Sequence, residues 1–330
     1  MARPGDSVLD IRDLALEFPV YKGAVKALNG VSLKVGPGEV VGVVGESGSG
    51  KSVTAMAVLK LLPRDGFVIT AGSLNLLGHD ILSASEAEML RVRGSEAAMI
   101  FQEPMTALNP TKKVGDQIVG VIRRHQALSK TQAARKAVQL LRAMYIADPE
   151  QILHSYPFEL SGGMRQRVMI ALAFSCDPQL LIADEPTTAL DVTVQRQVLL
   201  LLREQARERG TAILFITHDM AVVSQFCDRV YVMYAGSVVE QGPTAQVMER
   251  PAHPYTRGLL GGLPENSEPG SALPAIPGQV PNLADLPGGC AFRPRCARAD
   301  EACMVKPALQ SLTDGRGQAA CWHVLHGDTP

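Results

Sequence analysis

The octapeptide Gly45-Glu46-Ser47-Gly48-Ser49-Gly50-Lys51-Ser52 constrains this chain more than any other stretch. It follows Val40-Val41-Gly42-Val43-Val44, which reads as a fully buried strand, and it precedes a helical pattern from Lys51 to about Leu62. Glycines let the backbone curl so that successive N–H groups converge on phosphate oxygens, at a helix N-terminus whose dipole favours an anion. In the pattern G-x-x-x-x-G-K-[ST] the lysine reaches the β and γ phosphates and the hydroxyl ligates Mg²⁺. That assigns Gly45, Ser47, Gly48, Ser49, Gly50 and Lys51 to a nucleotide's phosphates and Ser52 to its metal. A flexible Gly/Ser loop is the plain alternative, and the strand–loop–helix context opposes it.

Further buried strands are expected at Met99 to Phe101, Leu180 to Ala183, Ala212 to Thr217 and Val230 to Met233, separated by helical patterns. Strands alternating with helices imply an α/β fold with a mostly parallel sheet covered on both faces. Residues 8 to 35 alternate instead, as in Leu14-x-Leu16-x-Phe18 and Val31-x-Leu33-x-Val35, so a half-exposed antiparallel sheet precedes the core. Between about 105 and 175 the strand signal gives way to helix, notably at 131 to 144 and 164 to 175, which reads as an inserted helical subdomain. Residues 251 to 289 hold eight of the 22 prolines and seven glycines; such a stretch reads as a linker or irregular wrap rather than regular helix.

Charge excludes a generally basic nucleic-acid binder, because 32 Lys+Arg oppose 33 Asp+Glu. The longest apolar run, Val168 to Phe174, is far short of the roughly 18–20 residues a membrane span needs. The N-terminus lacks a secretory pattern, so a cytosolic protein is expected, and any membrane role needs spans from partners.

Leu180-Leu181-Ile182-Ala183-Asp184-Glu185 places two carboxylates at the tip of a buried strand. Asp184 can hold Mg²⁺ through water while Glu185 polarises the attacking water; a solvated turn is the alternative, weakened by the phosphate loop. Leu160-Ser161-Gly162-Gly163-Met164-Arg165-Gln166-Arg167 opens a helix after Tyr156-Pro157. Ser161 is an N-cap candidate, and Gly162 and Gly163 expose backbone N–H groups, giving a second anion-binding turn or an ordinary cap.

In this order the motifs resemble those of the ATP-binding subunits of ABC transporters, over roughly residues 8 to 250. Walker A is 45–52, and Gln102 in Ile100-Phe101-Gln102-Glu103-Pro104 resembles the Q-loop glutamine. The signature is 160–164, Walker B is 180–185, Thr188-Ala189-Leu190-Asp191 is the D-loop, and His218 in Ile216-Thr217-His218-Asp219 is the switch histidine. The resemblance implies a P-loop ABC-type nucleotide-binding domain over residues 1–250, with a RecA-like core, an antiparallel β subdomain and the helical subdomain at about 105–175. It also implies a head-to-tail dimer, with ATP held between Walker A of one subunit and the signature of the other. Glu185 would act as general base or water-positioning group, and His218 would steady the γ-phosphate. Gln102 would contact Mg²⁺ and report to the membrane subunits, whose coupling helices dock near it and the helical subdomain. Asp191 would communicate across the interface, and adenine would stack on Phe18, with Tyr21 as the alternate.

The C-terminal part resembles that of oligopeptide and dipeptide importer ATPases, a branch that includes nickel and glutathione importers. The residues that carry this likeness are Arg250-Pro251-Ala252-His253-Pro254-Tyr255-Thr256-Arg257-Gly258-Leu259-Leu260 and Pro287-Gly288-Gly289-Cys290-Ala291-Phe292-Arg293-Pro294-Arg295-Cys296. Met105-Thr106-Ala107-Leu108-Asn109-Pro110 and the stretch from Phe158 to Ser175 resemble the subunit serving D-alanyl-D-alanine-type dipeptides. The 251–289 linker then leads into a Cys-rich extension at 290–330, where Cys290, Cys296, Cys303 and Cys321 are spaced C-x5-C-x6-C-x17-C. Four such thiols can hold zinc or a [4Fe-4S] cluster, or remain free; relatives in this branch carry the cluster. Arg293, Arg295 and Arg298 would suit a net-negative cluster or be merely solvated, and Trp322 would pack over the site.

The function implied is ATP-driven import of dipeptides or oligopeptides, with nickel or glutathione import as the alternative. The partners implied are a second homologous ATPase forming a heterodimer, two membrane permeases and an extracytoplasmic peptide-binding protein. The subunit would lie peripherally on the cytoplasmic face of the inner membrane. A soluble ABC ATPase acting on DNA or ribosomes is the contrasting class; a single cassette and the 58 residues between Gln102 and Ser161 leave no room for its long coiled coil.

Overall fold

The computed structural model of the chain describes residues 7–21, 23–63, 65–102, 107–188, 191–263, 274–313, 315 and 317–325. Several expectations fall partly outside them: Glu103 and Pro104 of the Q-loop, Met105 and Thr106, Ala189 and Leu190 of the D-loop, and parts of the 251–289 and 290–330 segments. Contacts divide the chain into two compact units. A P-loop unit is built from Leu9–Lys34, Val40–Leu82 and Phe215–Pro330, and a helical unit chiefly from Val35–Glu39 and Ser83–Leu214.

The P-loop unit opens with β1 (Leu9–Val20) and β2 (Gly23–Val35), followed by β3 (Val40–Val44), helix α1 (Lys51–Val58), β4 (Val68–Leu76) and the short β5 (His79–Asp80). A four-stranded sheet runs β2-β1-β4-β5, with β1 antiparallel to β4 and Leu9 opposite Leu76. Leu9, Ile11, Leu14 and Leu16 are fully buried along β1, so the alternation read from the sequence does set the inward face. Strand β3 is buried at every position, as a central strand without alternation must be.

The helical unit contains α2 (Glu86–Val92), β6 (Ala97–Ile100), α3 (Val114–His125), α4 (Lys130–Ala143), α5 (Pro149–His154), α6 (Gly162–Ala173), β7 (Leu180–Asp184) and α7 (Val192–Arg209). Strand β6 lies parallel to β7, pairing Ala97 with Leu180 through Ile100 with Ala183. Val114, Ile118 and Ile122 recur every fourth residue on α3 and are fully buried, each contributing about 1.5–3 kcal/mol relative to exposure. Helices α2 and α4 start with reciprocal capping boxes, Ser85 with Glu88 and Ser129 with Gln132.

Strand β8 (Ala212–Thr217) carries the chain from one unit into the other. The P-loop unit is then completed by α8 (Met220–Phe226), β9 (Arg229–Tyr234), β10 (Ser237–Pro243), α9 (Thr244–Glu249), α10 (Pro254–Gly261), β11 (Gln310–Ser311) and β12 (Gln318–Ala319). Strand β9 is parallel to β3 and antiparallel to β10, so this sheet is mixed.

Helix α10 corrects the reading of 251–289 as a stretch without regular helix. Pro254 occupies the first helical position, where a missing N–H costs nothing, and His253 caps the start by accepting from the Tyr255 N–H at 3.0 Å. The tail is also less irregular than its composition suggests: β12 pairs antiparallel with β10, Glu240 opposite Ala319, and β11 pairs with β12.

Candidate nucleotide site

The loop after β3 is held by its own backbone. Lys51 is buried, and its Nζ donates to the carbonyls of Gly45 at 2.7 Å and Glu46 at 2.9 Å. Gly45 and Gly50 have φ of +151° and +99°. A Cβ on Gly45 would collide with the Met233 carbonyl, and one on Gly50 would lie 2.7 Å from the Ala27 carbonyl oxygen. Ser49 is buried, Ser47 and Gly48 are exposed at the loop's tip, and Ser52 is half-buried in the first turn of α1. That helix starts at Gly50 without a side-chain cap.

Of the two aromatics considered for adenine, Phe18 is half-buried on β1, whereas Tyr21 is 99% exposed just beyond it. His218 is exposed immediately after β8, ahead of Asp219, which caps α8 through the Ala221 and Val222 N–H groups.

In the helical unit, Asp184 is buried at the end of β7, and Glu185 follows with φ +46°. A left-handed conformation at a non-glycine residue is strained and recurs at functional positions. Gln102 Nε2 donates to Glu185 Oε2 at 3.1 Å, and Thr188 Oγ1 donates to the same oxygen at 2.9 Å. Gln102 and Glu185 are thus brought together, a contact that motif order alone did not disclose. Ser161 caps α6 by accepting from the Met164 N–H at 3.3 Å, and Ser161 and Gly162 are exposed. Gln166, fully buried one turn along α6, donates to the carbonyl of Pro186. That bond ties the helix behind the signature turn to the residue following Glu185. Asp191 caps α7 through the Val194 N–H at 3.0 Å.

Cys290, Cys296, Cys303 and Cys321 line one pocket with Arg293, Arg298, Trp322 and His323. Burial pushes the thiols of Cys290 and Cys296 up and that of Cys321 up to about 11. Four thiols around one pocket, one buried and three half-buried, are a donor set that fits a metal group. Among the described residues, the ligand atoms that lie within 4.8 Å of one another are those of Asp300, Cys303 and His323. His323 Nε2 lies 2.9 Å from Asp300 Oδ2, and Trp322 Nε1 donates to the Val305 carbonyl at 2.9 Å.

Residues 28–188 match the family model described as ABC transporter, and residues 239–303 match that of the oligopeptide/dipeptide transporter C-terminal region. The chain is 60% identical over 316 residues to the "Probable D,D-dipeptide transport ATP-binding protein DdpD" of Escherichia coli K12, across 96% of each chain. The chain belongs to the ABC transporter ATP-binding proteins. This ABC subunit is also 47% identical to the oligopeptide transport ATP-binding protein OppD of the same organism, over 95% of its own length and 93% of the relative's.

Among solved structures, the subunit matches the ATP-binding cassette MJ0796 in a dimeric post-hydrolysis state with ADP and Pi. That match has a TM-score of 0.64 and 24% identity, and it covers 72% of this chain and 98% of that one. The cbiO1 subunit of Clostridium perfringens matches with a TM-score of 0.63 and 26% identity, over 73% and 90% of the two chains. The P-loop ABC ATPase fold follows, with ATP hydrolysis for transport as its activity. Among the described residues no helix of this ABC subunit is long and apolar enough to cross a membrane.

Sequence reasoning missed two contacts of Glu46: its N–H donates to Tyr255 Oη at 2.9 Å, and its carboxylate receives Arg295. The only local signal was an acidic residue inside a phosphate-binding loop, which repels its ligand unless a cation neutralises it.

Proposed function

We propose that this subunit powers import of dipeptides, of the D-alanyl-D-alanine type, through a membrane ABC transporter. The observation that carries this reading is the peptide-transporter C-terminal region following an ABC cassette in one chain, 60% identical to a protein named for D,D-dipeptide transport. The relatives' names favour peptide over nickel or glutathione. The subunit sits peripherally on the cytoplasmic face beneath two permeases fed by an extracytoplasmic binding protein, and pairs with a second homologous ATPase.

The chemistry assigned to the residues follows from their surroundings. The N–H groups of Ser47 to Lys51 and the Lys51 ammonium bind the β and γ phosphates, the ammonium exchanging loop carbonyls for phosphate oxygens. Ser52 and Asp184 would hold Mg²⁺, which supplies charge neutralisation between phosphates when bound. Tyr21 offers adenine a freer ring face than Phe18. Ser161, Gly162 and Gly163 bind the γ-phosphate of the opposite subunit's ATP, for which their exposure suits them. Glu185 takes the proton of the attacking water and His218 steadies the γ-phosphate. Two donors on Oε2, from Gln102 and Thr188, fix the orientation of the Glu185 carboxylate.

Cys290, Cys296, Cys303 and Cys321 would hold a [4Fe-4S] cluster, which supplies a clamp on the tail when bound. Zinc is the second reading, favoured by the Asp300, Cys303 and His323 grouping. Iron and labile sulfide in anaerobically purified protein support the cluster; stoichiometric zinc without iron overturns it. The transport reading is tested in proteoliposomes holding this subunit with its permeases, partner ATPase and binding protein. ATP-dependent uptake of labelled D-alanyl-D-alanine is expected, and uptake of nickel or glutathione without peptide overturns the substrate assignment.

A further inference from the structure

Arg295 lies in the short 3-10 turn Arg293–Arg295, adjoining Cys296, yet its side chain leaves the cysteine pocket and reaches the P-loop. Its guanidinium forms a fork on Glu46, Nη1 to Oε2 at 2.7 Å and Nη2 to Oε1 at 3.0 Å. The remaining donors go to the Pro277 carbonyl at 2.8 Å, the Ile276 carbonyl at 3.4 Å and Tyr234 Oη at 3.4 Å. All five N–H groups therefore have an acceptor, and the side chain is 5% exposed. The rings of Tyr234 and Phe292 lie 5.8 and 5.9 Å from the guanidinium carbon.

Glu46 is the joint. Its carboxylate is tied to Arg295, its N–H to Tyr255, and its carbonyl accepts from Lys51 Nζ. The loop peptide that Lys51 grips is thus oriented by two C-terminal residues. A staple serving stability alone would have no reason to end on the residue whose two flanking peptides both hold the phosphate-binding lysine. The Arg295 side chain is buried while that of Glu46 is half-buried, so removing Glu46 strands the guanidinium's charge.

We propose that Arg295 is a positioning residue for nucleotide binding: through Glu46 it couples the cysteine pocket to the P-loop. The proposal rests on reading the P-loop as the ATP site. Coupling is reciprocal in free energy. Nucleotide therefore alters how readily the Cys290–Cys296 turn opens, and disturbance of that turn alters how nucleotide binds.

The test uses the full chain with ATP·Mg²⁺ as ligand. Arg295→Gln is expected to weaken ATP binding about 10-fold, with KM rising more than kcat falls. Glu46→Gln, which removes the charge and one of the two acceptor oxygens without changing size, should give the same loss, and the double variant no more than either alone. Arg295→Lys should recover part of the affinity. In the unsubstituted protein ATP should change backbone hydrogen exchange over residues 290–296, and in Glu46→Gln it should not. Variants that lose thermal stability but bind ATP within two-fold of the unsubstituted protein, or losses that add in the double variant, overturn the coupling. Should Arg295→Gln not fold, Glu46→Gln decides alone by the same two readouts. An unsubstituted protein that binds no ATP would instead sink the reading of the P-loop.

Discussion

Two glycine-bearing turns open helices in this protein, and they are held in opposite ways. The turn before α1 is braced from several directions: Lys51 grips its carbonyls, Tyr255 and Arg295 hold Glu46, and no side chain caps the helix. The turn before α6 is capped by Ser161, with Arg165 tied back to the Pro157 and Phe158 carbonyls, and Ser161 and Gly162 lie exposed at its tip. A site that must bind a polyanion by itself has to be pre-organised, because ordering it at the moment of binding would subtract from affinity. A turn that meets its ligand only on the surface of another subunit needs exposure more than bracing. The contrast therefore supports the proposed division of labour, nucleotide capture at the first turn and closure at the second.

The largest effect isolates chemistry from both turns. Glu185→Gln should lower kcat by about 10²–10⁴-fold with ATP affinity unchanged, and ATP should accumulate a dimer visible by size-exclusion chromatography. Near-normal turnover would remove Glu185 from its role. Lys51→Ala breaks the braced turn and should weaken ATP binding to the monomer by about 10–150-fold, from the loss of charge-assisted bonds worth roughly 1.5–3 kcal/mol. Isothermal titration reads this directly.

Next comes the bracing itself. Burial pushes His253, which caps the helix bearing Tyr255, down to about 4 from 6.5. The unfolded chain therefore takes up a proton that the folded one refuses. Stability from this group is fully present above about pH 6.5 and is lost as pH falls toward 4, by up to roughly 3 kcal/mol. Urea unfolding at pH 7.5 and 5 should show that loss, and His253→Asn, which keeps a capping acceptor, should show less of it. Equal pH dependence in both proteins would contradict the assignment. The smallest effect falls on the exposed turn: Ser161→Ala should cost about 1 kcal/mol of stability and leave monomer titrations with ATP unchanged. In the Glu185→Gln background it should reduce the trapped dimer, and weakened ATP binding to the monomer would erase the contrast between the turns.

The parts of this arrangement that were legible in the sequence depend on local backbone chemistry. Gly45, Gly50 and Lys51 must be those residue types wherever the rest of the chain lies, and β3, β7 and β8 announce themselves by unbroken apolar runs. The bond between Gln102 and Glu185 spans 83 positions and that between Arg295 and Glu46 spans 249, and no periodicity records either. Arg295 read as a charge beside cysteines because its neighbours in sequence are cysteines; its partner is in the P-loop. Helix α10 was hidden for another reason: proline counted over 39 residues conceals that Pro254 sits at the one helical position that welcomes it. Tyr21, read as second to Phe18, is the more accessible ring because the turn after β1 turns it outward.

The distance between Glu46 and Arg295 also has a consequence for synthesis. At ordinary bacterial elongation rates the P-loop leaves the ribosome about 10–50 s before its clamp does. Once β10 has emerged it lacks β12 for about a further 4–15 s and presents an open edge, the kind that pairs with strangers. A nascent subunit therefore completes its nucleotide loop late, and a chain released early would carry a legible Walker A motif, an unguarded strand and a Glu46 carboxylate without its guanidinium.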